Sequence, residues 1–200
     1  MKPVQILLGV LSLCILAATG AAASVFVIDP DHSSVSLSAT HLGIGTVQGR
    51  FDRFSGSFDY LPSDMSHATV DVRIEAASLN TNQTFRDQHL RSDEFLDVTR
   101  FPEITFRATR VSLTGSDKLT IIGNLTLHGV SRPVTLDATL RGTSPDMDGK
   151  NRIAFSATTQ INRQDYGMAW NKTIGANQIV GQTILIFLNI EGVEQAAGGK

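Results

Sequence analysis

The chain has 200 residues, of which 42% are hydrophobic and 18% are charged, and its formal net charge is −2. This length fits a single domain that buries a core of its own. The charge balance excludes a basic surface of the kind that binds nucleic acid through its phosphates.

Residues 1–23 have the pattern of a secretory signal peptide. Lys2 gives a positive start, Val4–Ala18 is an apolar run, and Ala21–Ala23 supplies an A-x-A cleavage pattern. The run is shorter than the ~20 residues that span a bilayer, so we predict cleavage and no membrane span afterwards. The mature chain would have 16 Lys and Arg against 19 Asp and Glu, a formal charge of −3. It would contain no cysteine, because the only one is Cys14.

The dominant hydrophobic period after residue 24 is two, which is typical of strands with one buried face. Val70–Glu75, Ile104–Thr109 and Val134–Leu140 alternate without a break. Less regular candidates are Val35–His41, Gln48–Tyr60, Lys118–Leu127, Arg152–Ile161 and Thr183–Ile190. About eight short strands separated by turn signals predict an all-β sandwich or barrel. Closure into a barrel removes the strand edges, and eight strands can enclose one small ligand.

Strand parity identifies the side chains that such a barrel turns toward its interior. Residues two positions apart share a face, so one parity of each strand forms the inner wall. The predicted inward, ligand-contacting residues are Val70, Val72, Ile74, Ile104, Phe106, Leu125, Leu127, Val134, Leu136 and Phe155.

The segment Thr84–Pro102 carries seven charged residues among nineteen, with apolar residues between them. It is too long for a hairpin turn, and a long connection of this kind is typical of a lid or a binding loop. A short helix or loop insertion is predicted near residues 82–100, with Asn82 or Thr84 as its N-cap.

We expect this insertion to cap the barrel mouth, with Phe85, Leu90 and Phe95 packed inward. Arg86 and His89 would then lie at the rim. They would either belong to a solvated helix face or bind an anionic head group, and the sequence favours neither alternative. Downstream, Arg163–Gly167 with Trp170 is either a strand end with its loop or an aromatic wall at the mouth.

The sequence predicts no catalytic residue, no metal and no cofactor. Asp29–Ser34 gathers acid, imidazole and hydroxyl groups, but neighbours in a turn rarely converge as a catalytic triad. The five histidines lack the H-x-x-x-H spacing of a zinc site. They are His32, His41, His67, His89 and His128.

Several motifs taken together resemble the YceI-like family of exported, lipocalin-like proteins. They are Phe26–Asp29 with His32 and Ser33, Val47–Phe51, Phe54–Gly56, Arg86–Arg91 with Phe95, Phe101–Phe106, Gly123–Thr126, Gly129–Val134 and Arg163–Gly167. Their order and spacing, more than any one of them, carry the resemblance. Phe26 stands where such proteins often have tryptophan.

The resemblance implies a lipocalin-like antiparallel β-barrel over residues 24–192, in the bacterial periplasm. The small and polar residues at the C-terminus predict a disordered tail at 193–200. The resemblance also implies a carrier of a long apolar ligand, a polyisoprenoid or a related fatty amphiphile, and a homodimer is a candidate assembly. Two alternatives stay open. One is an exported enzyme acting on a lipid or quinone in the same cavity, and the other is a structural or interaction module with a filled core.

Overall fold

The computed structural model describes residues 23–61 and 63–195, so the predicted signal peptide lies outside the described residues except for Ala23. Strands dominate, and one short α-helix interrupts them. The elements are β1 (Ser24–Ile28), β2 (Ser34–His41), β3 (Gly45–Phe51), β4 (Phe54–Tyr60), β5 (Val70–Glu75), β6 (Leu79–Asn80), α1 (Thr84–Arg91), β7 (Glu103–Leu113), β8 (Lys118–Leu127), β9 (Val130–Pro145), β10 (Asn151–Asn162), β11 (Thr173–Ile174), β12 (Asn177–Gln178) and β13 (Val180–Glu194).

The main sheet closes into an eight-stranded antiparallel barrel, which confirms the predicted fold class. Neighbours around the ring are β1, β4, β5, β7, β8, β9, β10 and β13, and β13 returns to β1 with Val27 opposite Val193. The strands β2, β3 and β6 extend the same wall, because β2 pairs with β13 and β3 pairs with both β2 and β6.

Three positions of the wall are built from two short strands each. A 3₁₀ turn at Pro30–His32 separates β1 from β2, Asp52 and Arg53 separate β3 from β4, and a 3₁₀ turn at Ala76–Ser78 separates β5 from β6. The single predicted strand Gln48–Tyr60 is therefore wrong in this detail. Asp52 and Arg53 leave the ladder and pair across it, Arg53 with Glu75 and Asp52 with Asn80.

The C-terminal strand extends past the predicted end of the domain. Val193 and Glu194 belong to β13, and the amide of Gln195 donates to the carbonyl of Val25 at 2.8 Å. The disordered tail predicted from residue 193 is therefore wrong for these residues, because β1 supplies a pairing partner there. The remainder of that tail, 196–200, lies outside the described residues.

A charged cluster fastens the first turn to the last strand. Arg152 donates to Asp29 at 2.7 Å and to Glu191 at 2.6 Å, and Asp29 also accepts from His32. The hydrogen bond from Arg152, with a smaller contribution from His32, holds the pKa of Asp29 at about 2 although partial burial opposes this. Asp29 caps the 3₁₀ turn through the amide of Asp31, as predicted for a turn.

The strand directions divide the connections between two ends of the barrel. The turn 42–44, the insertion 81–102 and the segment 163–179 lie at one end, which we call the helix end. The turns 114–117 and 146–150 lie at the opposite end, which we call the hairpin end. Within residues 23–61 and 63–195, no helix has the length and apolar composition of a membrane span.

Candidate functional site

The barrel encloses a cavity of about 470 Å³ with an almost entirely apolar wall. Every strand of the closed ring contributes side chains to it. Ligand pockets in proteins typically measure about 300–1,000 Å³ and are mostly apolar. The barrel interior is thus not filled by its own side chains, which argues against the filled-core alternative.

Strand parity correctly predicted which side chains of the strands face the cavity. All ten residues expected to face inward line the cavity: Val70, Val72, Ile74, Ile104, Phe106, Leu125, Leu127, Val134, Leu136 and Phe155. The ring of Phe106 lies across Gly123 of the neighbouring strand, so closely that a Cβ on Gly123 would be 2.4 Å from the ring. That any of these residues contacts a ligand stays a prediction.

Helix α1 lies against the helix end of the cavity and turns one face toward it. Arg86, His89 and Leu90 line the cavity, as the i, i+3, i+4 spacing of one helix face requires. The N-cap is Gln83, whose side chain accepts from the amide of Arg86 at 2.6 Å. The expectation of Asn82 or Thr84 at this position is therefore wrong.

Phe85 does not pack inward, which corrects its assignment to the site. Its side chain is 80% exposed, and it is not part of the cavity wall. The inward face of α1 is centred on Arg86, His89 and Leu90, and Phe85 lies about a quarter turn away from that centre. Cβ atoms of a helix also tilt toward its N-terminus, so the first turn directs Phe85 beyond the helix into solvent.

An aromatic cluster of His89, Phe95 and Trp170 forms the cavity wall beside α1. The ring centroids are 5.0 Å apart for His89 and Phe95, 4.8 Å for His89 and Trp170, and 5.1 Å for Phe95 and Trp170. His89 also contacts Glu94 through its Nε2. The insertion and the segment 163–179 are therefore packed together at the helix end, with Trp170 as part of an aromatic wall.

Arg86 is held by a threonine and not by an acid. Its Nε donates to the Thr81 hydroxyl at 2.7 Å, and its Nη2 donates to the Thr81 carbonyl at 2.8 Å. The neighbouring Asp87 is buried and accepts from the amide and the hydroxyl of Thr81. The half-buried guanidinium thus lines the cavity without an ion pair among the described residues.

Arg163 is a second cavity-lining cation, and sequence reasoning did not include it among the predicted site residues. It is only 2% exposed, and it donates to the carbonyls of Gly181, Val180 and Met168. Burial lowers the pKa of its guanidinium from the ordinary value. Within the described part of the chain it has no carboxylate partner, although buried charges are usually paired. The sequence signal was its place in the Arg163–Gly167 motif.

The titratable side chains on the cavity wall lie near its two ends. His41, Arg86, His89 and Arg163 are at the helix end, and Asp59 and Tyr60 are near the opposite end. Asp59 accepts from the Thr69 hydroxyl at 2.7 Å. Between these ends the wall is made almost entirely of apolar strand residues, with Ser36 and Thr159 as polar exceptions. The arrangement suits an amphiphile with a long apolar chain and a polar head at the helix end.

The Asp29 cluster is the group of possible metal ligands found among the described residues, and a guanidinium occupies it. Asp29, His32 and Glu191 each supply one possible ligand atom, and these three atoms lie within 4.8 Å of one another. Arg152 donates to both carboxylates, so the cluster is an ion-pair network centred on arginine.

Curated relatives of similar length resemble the chain over most of its residues. A UPF0312 protein of Vibrio parahaemolyticus is 35% identical over 178 residues, which are 88% of this chain and 90% of the relative. A UPF0312 protein of Pseudomonas putida is 37% identical over 187 residues, covering 92% of this chain and 94% of the relative.

Solved structures share the fold. A Campylobacter jejuni YCEI protein has a TM-score of 0.69 at 32% identity, covering 78% of this chain and 90% of its own. Burkholderia cenocepacia BcnA has a TM-score of 0.73 at 19% identity, covering 82% and 98%. A polyisoprenoid binding domain from Saccharophagus degradans has a TM-score of 0.63 at 16% identity, covering 85% and 98%. The last two show likeness of fold alone.

The family model described as a YceI-like domain matches residues 26–192, which include all or most of every strand of the ring. The cavity, the helix-end insertion and the motifs that suggested the resemblance all lie within this match. The chain therefore belongs to the YceI-like family.

Proposed function

We propose that this chain binds one long apolar lipid, of the polyisoprenoid class or a related amphiphile, inside its barrel and carries it in the periplasm. The observation that supports the proposal most is the cavity of about 470 Å³ inside the barrel, with its apolar wall. Membership of the YceI-like family and the fold shared with a domain named for polyisoprenoid binding are consistent with it.

The energetics of burial favour a prenyl chain as the occupant. Each buried CH₂ contributes about 0.8 kcal/mol, so one five-carbon unit contributes roughly 3–4 kcal/mol. Association costs about 4–15 kcal/mol, which a few such units offset. Binding of this kind needs apolar wall area and no reacting group, so we assign the chain no reaction.

The proposal is tested by native mass spectrometry of protein purified from its host, followed by lipid extraction. A bound lipid should appear as a discrete mass shift that organic extraction removes. The stripped protein should then bind an added prenol, and the only tryptophan of the chain, Trp170, reports this because it lines the cavity. Protein that carries no lipid from its host and leaves Trp170 fluorescence unchanged with every prenol would refute the proposal.

We propose further that the lipid's polar head lies beside Arg86. Arg86→Ala should weaken binding of a prenyl phosphate more than binding of the matching prenol, because a charge-assisted hydrogen bond contributes about 1.5–3 kcal/mol, or roughly 10- to 150-fold. Arg100→Ala is the matched control, since Arg100 is exposed in the same insertion and pairs with Asp97. Equal losses for both ligands would remove Arg86 from the head-group site.

A further inference from the structure

Three segments at the helix end each expose one large apolar side chain. Ile44 is 89% exposed, Phe85 is 80% exposed and Ile174 is 60% exposed. A single exposed apolar residue is ordinary on a protein surface. Three such residues indicate a binding surface only if they lie close together, so that one partner could cover all of them.

The three residues border the cavity at this end. Ile44 lies in the turn that follows His41, and Phe85 precedes Arg86 on α1. Ile174 lies in the segment 171–178, which Trp170 and Ile179 bracket. These four bordering residues all line the cavity: His41, Arg86, Trp170 and Ile179.

The segments also contact one another. The amide of Leu42 donates to the carbonyl of Ile179 at 3.1 Å, which joins the turn of Ile44 to the segment of Ile174. The ring of His89 on α1 packs against Trp170, which joins the helix of Phe85 to the same segment. The three apolar side chains therefore belong to one continuous rim of the cavity.

Close to the three apolar side chains, the exposed charge is basic. Across residues 41–45, 83–87 and 171–178, the charged side chains are Arg86, Asp87 and Lys172. Asp87 is buried against Thr81, whereas Lys172 is exposed. The exposed carboxylates of the helix end, Asp93, Glu94 and Asp165, lie outside these three stretches, in which exposed Lys172 is attracted to an anionic surface.

We propose that the helix end docks on the surface of a lipid bilayer, with Ile44, Phe85 and Ile174 inserted among the lipid head groups. Separate apolar anchors with nearby cations suit a membrane interface. A protein partner would instead need a continuous apolar centre. The cavity then opens onto the phase in which a long lipid is dissolved. Transfer of a lipid between the bilayer and the cavity rests on the proposed lipid-carrier function, whereas docking on the bilayer can be measured without any bound lipid.

Co-sedimentation with vesicles of phosphatidylethanolamine and phosphatidylglycerol, free of prenyl lipid, tests the docking. The variants are Ile44→Ser, Phe85→Ser and Ile174→Ser, alone and combined. Each serine should weaken partitioning by about 10-fold, and the triple variant by about 1,000-fold if the three losses add. Met147→Ser is the matched control, because Met147 is fully exposed but lies at the hairpin end. It should partition as the unaltered protein does.

Fluorescence gives a second readout, because Trp170 is the only tryptophan and lies at this rim. Lipids with a nitroxide high on the acyl chain should quench Trp170 in the unaltered protein and in Met147→Ser, but not in the triple variant. Unaltered protein that never sediments with vesicles overturns the proposal and leaves a protein partner or a second copy as the occupant. Equal partitioning of the triple variant, or equal loss in the control, overturns it as well. Prenol binding in solution, without vesicles, tests the carrier function independently of the docking.

Discussion

Ala157→Leu offers a direct test of whether the barrel interior is empty in the lipid-free protein. Ala157 lies on β10 opposite Ala138 of β9, is 8% exposed, and lines the cavity. A larger apolar side chain at this position enters the cavity. In a closely packed core the same change would force neighbouring side chains aside.

The sign of the stability change separates these two situations. Leucine adds three carbons, whose burial contributes about 0.8 kcal/mol each, and ordering its side chain costs about 0.5–1 kcal/mol. The free energy of unfolding should therefore rise by up to about 1.9 kcal/mol. Lipid affinity should fall by roughly 10- to 60-fold, because the added carbons occupy space that the ligand needs.

Urea unfolding of the delipidated protein and prenol titration followed through Trp170 measure the two effects. Thr158→Leu is the matched control, because Thr158 is the exposed neighbour on the opposite face of β10. It should change stability by no more than about 0.5 kcal/mol and leave affinity unchanged. A loss of about 1–3 kcal/mol in Ala157→Leu alone, the cost of overpacking, would refute the empty cavity. Unchanged affinity would separate Ala157 from the ligand site.

Two further predictions concern the wall and the charged cluster. Gly123→Ala should lower the free energy of unfolding by about 1–3 kcal/mol, because its Cβ would be 2.4 Å from the Phe106 ring and 2.5 Å from a backbone carbonyl. Gly45→Ala, whose Cβ would meet nothing closer than 3.7 Å, is the control for urea unfolding, and equal losses would contradict the argument. The folded pKa of Asp29, about 2, lies below its ordinary value of 3.8. Its stabilisation is therefore complete above about pH 4 and is lost as the pH falls toward 2. Asp29→Asn should remove about 1 kcal/mol of this acid sensitivity after allowance for solvent screening, and an unchanged slope of unfolding free energy between pH 5 and pH 2 would contradict it.

The wall of the barrel could be predicted because one physical rule fixes it. Alternation places residues such as Val72 and Phe106 on the same face as their neighbours, and one buried face then fixes the register. Lys118–Leu127 begins and ends at the predicted residues for this reason. A short helix or loop insertion could be predicted because the length and charge of the segment fit no turn, and the structure forms a helix over Thr84–Arg91.

The direction of single side chains at the helix end could not be predicted in the same way. Phe85 is apolar and lies one residue from a cavity-lining arginine, but the rotation of α1 depends on packing against Trp170, which is distant in sequence. Arg163 sits in a polar turn sequence, but the carbonyls that hold it come from Met168 and the start of β13. Both outcomes depend on tertiary contacts that periodicity does not encode.

The pairing of the first strand with the last determines when the barrel can close during folding. Val27 and Val193 are 166 positions apart, and β13 is also the partner of β2 and β10. In a growing chain that lacks β13, the strands β1, β2 and β10 each have an unpaired edge. Closing so long a loop is slow, because its entropy is lost before the contacts form. The closed ring, and with it the complete cavity wall, can therefore form only after β13 has been synthesised.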